Sequence, residues 1–163
     1  MNSRFDMRQQ INLAAAALCL KPTEFRQIRV HQYQDILLSI IDHFTTLGRK
    51  GWNAPWWDHF KGVEIGIHTT DAYKLLPELV PSEERVWFVA EDWGRNKRDG
   101  GFWLFEGKIQ AIVSVLGEMF GFEYYVVSKK FEWLLCENHH DILIGVGQPM
   151  VDKMRELKSR NHG

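Results

Sequence analysis

Six consecutive residues, Cys136-Glu137-Asn138-His139-His140-Asp141, form the densest run of reactive side chains in the sequence. Thiolate, imidazole and carboxylate are the groups that ligate zinc and related ions, which require three or four of them converging. The spacing works against convergence. On a strand, adjacent His139 and His140 point to opposite faces, and only a tight turn brings both to one ion. No HxxxH or CxxC pair supports them. Asn and Asp in such a run also build solvated hairpin turns by bonding to their own backbone. Two readings follow. One is a metal site on His139, His140 and Asp141, with Glu137 beside them in a small metal-dependent enzyme. The other is a turn.

Three further segments have chemical content. Glu91 to Gly100 carries Trp93, Arg95, Lys97 and Arg98 between acidic flanks. Trp and Arg are the side chains most enriched where proteins grip one another. The same residues, joined by Lys129 and Lys130, are the alternative for a nucleic-acid site with salt-sensitive binding. Glu91, Asp92 and Asp99 weigh against that alternative. Trp52, Trp56 and Trp57 crowd a stretch that also holds Asn53, Asp58 and His59. Exposed, such rings are a platform for a partner; buried, they cover a sheet. Gly145-Val146-Gly147 precedes a helix start, but the third glycine of a dinucleotide fingerprint is missing. GxSxG, GxxxxGK[ST] and HExxH are absent, and no cofactor is called for.

These segments need elements to hold them. The chain has 163 residues, a length that suits one domain, 1–163. Lys and Arg total 20 and Asp and Glu 21, a net charge of -1, which excludes a general electrostatic hold on nucleic acid. Cys19 and Cys136 sit in apolar runs and read as buried, reduced thiols. The apolar run 11–20 is too short for a bilayer and lacks a cleavage site, so the expectation is a soluble cytoplasmic protein with no membrane association.

Apolar spacing of three and four predicts a helix over 4–19, with Ser3 and Asp6 as its capping box, and a second over 33–47 closed by Gly48. Residues 23–31 read equally as a helix starting at Thr23-Glu24-Phe25 or as an extended segment over 25–30, and 63–67 fits a short strand. The second half is β-branched and aromatic. It predicts strands at 85–90, 101–105, 123–127, 131–136 and 142–146, a helix over 107–119 between the second and third, and a C-terminal helix after Pro149. The expected class is α+β: a mainly antiparallel five-stranded sheet with N-terminal helices, one crossing helix and a C-terminal helix. Residues 1–48 form its helical part and 85–163 its sheet-rich part.

The blocks Trp87 to Arg95, Phe102 to Gly107 and Glu123 to Asp141 resemble a bacterial family known only as a domain of unknown function. The resemblance spans the C-terminal half and implies no chemistry. A vaguer likeness, in helices followed by a Trp-rich antiparallel sheet, is to the SUKH superfamily, and it implies an immunity-type binding protein. The expected function is therefore docking of a protein partner, of immunity or regulatory type. Trp93, Arg95, Lys97 and Arg98 are the first patch, and Trp56 and Trp57 the second. The metal-dependent enzyme on Glu137, His139, His140 and Asp141 is the alternative.

Overall fold

Asp6 starts the first helix. Its carboxylate accepts from the Gln9 backbone N–H while the Gln9 side chain accepts from the Asp6 N–H, a reciprocal box three residues later than expected. The structure is a computed structural model and describes residues 6–95, 98–119 and 121–161; Ser3 lies outside them. The helices are α1 (Met7–Ala17), α2 (Val30–Phe44), α3 (Leu76–Leu79), α4 (Ile109–Gly117) and α5 (Gln148–Asn161). The strands are β1 (Phe25–Gln27), β2 (Glu64–His68), β3 (Arg85–Glu91), β4 (Phe102–Lys108), β5 (Tyr124–Ser128), β6 (Leu134–Glu137) and β7 (Ile142–Val146). Short 3-10 turns cover Gly48–Asn53 and Ala72–Leu75.

The class is α+β and every strand pair is antiparallel, but the sheet has seven strands rather than five, in the order β1-β4-β3-β5-β6-β7-β2. The two strands beyond the expected five are β1, from the segment that read equally as helix or strand, and β2, which lies where a short strand was expected over 63–67; they form the two edges. The local preference of the β1 segment is weak, and pairing with β4 decides its state. The N-terminal part is thus not purely helical, because β1 lies inside it. A three-residue strand also leaves little open ladder at that edge.

The sheet is covered on both sides. Val86, Phe88, Ala90, Tyr124 and Val126 face α1, α3, α4 and α5. Val89, Leu104, Tyr125 and Val127 face α2 and the tryptophan segment. Burial on both faces explains the unbroken apolar runs of β3 to β5. The N-terminal helices therefore part company, α1 on one face and α2 on the other. Leu37, Ile40 and Ile41 of α2 are fully buried, each contributing about 1.5–3 kcal/mol. That helix stops at Phe44, before the expected Gly48. Thr45 turns extended, its Oγ1 donates to the Ile41 carbonyl at 2.7 Å, and it bridges to Phe60. Cys19 is exposed, against expectation: it sits at φ 57 in the turn after α1, while Leu18 and Leu20 pack on the core. Among the described residues, no helix is long and apolar enough to cross a membrane.

Gly107 sets the β1 edge. A Cβ there would lie 2.6 Å from the Glu24 carbonyl oxygen and 3.1 Å from Phe25 Cα, both backbone atoms that retreat only with their strand. Gly107→Ala is expected to lower stability by about 1–3 kcal/mol. Hydrogen exchange should speed up first at the amides of the β1–β4 pairing. Unchanged protection there would show that the edge yields without cost.

Candidate functional site

One end of the sheet collects the segments singled out by composition. Antiparallel register brings the end of β3, the turn ends of the β3–β4 and β6–β7 hairpins and the start of β5 together: Glu91 pairs with Phe102, Tyr124 with Glu137, and Glu137 with Leu143. The tryptophan segment packs against the same end. Trp56 lies on Phe102 and Tyr125, with ring centroids 4.4 and 4.6 Å away. Trp57 meets His139 and His140 edge-on, at 5.6 and 5.5 Å.

At the centre is a group that sequence reasoning missed. Glu91 is only 5% exposed, because period-two alternation continues the Val89 face of β3 one residue further. The Tyr125 hydroxyl donates to its Oε1 at 2.7 Å and the Trp93 indole N–H to its Oε2 at 3.0 Å. Tyr125 in turn accepts from the Trp56 backbone N–H at 3.0 Å. Burial, opposed by the Tyr125 bond and reinforced by the Glu123 carboxylate, pushes Glu91 up to about 8. The two carboxyl groups lie close enough to share a proton. Glu123 then accepts from both the backbone N–H of His139 at 3.2 Å and, at 3.0 Å, contacts its Nδ1. A polar chain therefore runs from the buried Trp56 amide through Tyr125, Glu91 and Glu123 to His139, which is 57% exposed. Cys136, fully buried beside it, has its thiol pushed well up by burial and by Glu91, so it is no nucleophile. The available signal for Glu91 was its register: an acid at an inward position of a buried strand.

The Asn138–Asp141 run is a turn. Asn138 Oδ1 accepts from the N–H groups of His140 and Ile142 at 2.9 and 3.3 Å, and Asp141 adopts φ 57. The turn brings the His139 and His140 rings to 3.9 Å, so they converge. However, Glu137 faces away from them, into a recess with Asp71, Tyr73 and Tyr124 on the α4 side. Among the described residues no three His, Cys, Asp or Glu side chains come together to hold a metal ion.

The expected partner patch is rearranged too. Trp56 is fully buried and donates its indole N–H to the Gly51 carbonyl at 2.8 Å, so it offers a partner no surface. Trp57 is half-buried against the histidines. Arg95 is turned inward: its guanidinium lies 3.6 Å over the Trp103 ring and donates to the Phe102 carbonyl and the Tyr33 hydroxyl. Lys97 lies outside the described residues. Trp93 is 46% exposed and Arg98 reaches solvent with 86% of its side chain. Gly147, at φ 95, closes a turn in which its N–H donates to the Val63 carbonyl, and a side chain there would run into the Glu132 carbonyl.

A family model, described as a family of unknown function (DUF6756), matches residues 3–158. The chain belongs to DUF6756. The match extends the C-terminal resemblance over nearly the whole chain, so in DUF6756 the α1 and β1 segments belong with the sheet. No curated protein and no solved structure matches this DUF6756 chain. The likeness to the SUKH superfamily is therefore not shown by any of these comparisons.

Proposed function

We propose that this DUF6756 chain is a binding protein that docks a protein partner on the hairpin end of its sheet. One observation carries the reading: Trp93 is nearly half exposed yet held rigid. Its indole N–H is tied to Glu91, and its ring lies against Phe102, 5.3 Å between centroids, and over Gly101. A rigid, exposed aromatic loses little conformational freedom on binding, which is what makes such residues anchors. Arg98, Trp57 and His139 supply polar and aromatic contacts around it. Arg95 supports the hairpin from inside rather than touching the partner. An immunity-type or regulatory role suits a surface of this kind, which acts by occupancy.

The test is affinity capture from the source organism with wild type and Trp93→Ala/Arg98→Ala. Circular dichroism should stay unchanged, while the melting temperature falls modestly because Trp93→Ala removes the bond to Glu91 and the contact with Phe102; Arg98→Ala alone, at a solvated side chain, should melt as wild type does. Wild type is expected to retain a partner whose recovery falls at least tenfold with the double variant. Identical partner lists from the two baits would defeat the assignment.

A further inference from the structure

At the other end of the sheet from Trp93, a cleft of about 490 Å³ opens between the end of α2, residues 61–63, the β5–β6 turn and the start of α5. Small-molecule sites typically measure about 300–1,000 Å³. The apolar lining is Phe44, Phe131 and Val146. His43 adds a further ring, 4.7 Å from Phe44 and 5.4 Å from Phe131 between centroids. Phe131 adopts φ 57, a conformation that a bulky side chain takes only where its surroundings hold it. Its N–H donates to the Ser128 carbonyl at 2.9 Å, and its ring packs on Trp87 at 5.3 Å. Strain of this kind gathers at ligand clamps. Two formally charged side chains line the cleft, Lys61 and Glu132. Among the described residues neither is in an ion pair, with the other or with a third group. The cleft thus offers a free cation and a free anion beside an apolar floor. A simple anion drawn to Lys61 meets Glu132, and a simple cation drawn to Glu132 meets Lys61. A ligand that carries both charges satisfies both.

We propose that this cleft binds a zwitterionic small molecule with an aromatic side chain. Its carboxylate meets Lys61, its ammonium group meets Glu132, and its ring lies against Phe44, Phe131 and Val146. An aromatic ring gains more from Phe44 and Phe131 than its buried area alone supplies. The same chemistry is carried by a free α-amino acid and by a short peptide, whose charged ends stand further apart. This inference is independent of the docking surface proposed above, which lies at the opposite end of the sheet on other residues.

The experiment is a nuclear magnetic resonance titration of the full chain with phenylalanine. Two analogues each keep one charge: 3-phenylpropionate lacks the ammonium group, and 2-phenylethylammonium lacks the carboxylate. Alanine keeps both charges and lacks the ring. Expected are saturable shifts at the amides of Lys61, Phe131 and Val146, with half-saturation in the millimolar range. Each analogue, and alanine, should bind about threefold or more weakly, the scale of one solvated ion pair or one ring contact. Lys61→Met and Glu132→Gln are exposed positions, so both variants should melt as wild type does. Each should weaken phenylalanine by a similar factor, and Lys61→Met should leave 2-phenylethylammonium binding at least as tightly as before. Alanyl-phenylalanine separates the sources: tighter binding than phenylalanine assigns a short peptide, weaker binding a free amino acid. Absence of saturable shifts, equal binding by either one-charge analogue, or unchanged affinity in the two variants overturns the proposal.

Discussion

Replacing Glu91 by Gln should abolish most of a decline in stability that the wild-type chain shows as pH rises from about 4.5 to about 8. In the unfolded chain this carboxyl loses its proton near its ordinary value of 4.5; in the folded chain it keeps the proton up to about 8. Between those limits the folded state binds more protons, so raising the pH favours unfolding. Above pH 8 both states are ionised and the slope from this group ends. Each unit of the rise is worth about 1.4 kcal/mol, so the whole decline amounts to a few kcal/mol. Glutamine stands in for the protonated acid. Its carbonyl accepts from Tyr125 or Trp93, and its amide can donate to Glu123 where the shared proton was. Urea unfolding at pH 5, 7 and 9 checks this: the two proteins should be of similar stability at pH 5, and the variant clearly more stable at pH 9. Glu137, raised by burial, adds a slope of the same sign, and Glu106 one of opposite sign. Burial tends to raise Glu106 as well, but Lys129 and Arg26 outweigh it and hold that carboxyl low. Those slopes are common to both proteins and cancel in the comparison. Parallel pH profiles would show that Glu91 ionises in the fold as it does in water.

The fold was legible where the pattern is local and strong. The apolar rhythm of α2 and α4 and the β-branched runs of β3, β5 and β7 lie within a few residues of their expected positions. It was not legible where partners decide. Phe25–Gln27 has little strand character of its own and becomes a strand because β4 presents an open ladder to it, whereas Glu64–His68, with its alternating Ile65 and Ile67, lies within a residue of the short strand expected over 63–67. The site followed the same division. Trp93 and Arg98 stand out by residue type, and their exposure matches the expectation from a polar hairpin. Arg95 and Trp56 look the same in one dimension and go inward in three, because Trp103 and Phe102 offer them faces. Glu91 and Glu123 were hidden for the opposite reason. They read as polar strand ends, and only register places two carboxyl groups side by side under Trp93.

Trp56→Ala should be the most damaging single substitution at this end of the molecule, lowering stability by about 3–5 kcal/mol. The ring is fully buried between the sheet and its own loop, against Phe102 and Tyr125. Alanine leaves a void that the flanking strands, locked in register, collapse into only in part. It also strands the Gly51 carbonyl, which accepts the indole N–H. A domain with 5–15 kcal/mol of total stability loses much of it in one step. Trp56→Phe should lose less, about 1–3 kcal/mol, since most of the buried area remains and only the hydrogen bond and part of the volume go. The damage should also reach the acid pair. The Trp56 backbone N–H donates to the Tyr125 hydroxyl that donates to Glu91, so loosening the loop admits water to the carboxyl and lowers its pKa toward the ordinary range. The pH-dependent loss of stability described for Glu91 should therefore be shallower in Trp56→Ala than in wild type. Denaturant unfolding of both variants across pH tests both effects. A loss below about 1 kcal/mol for alanine, or a pH slope as steep as that of wild type, would mean that Trp56 packs on the sheet without holding the network beneath it.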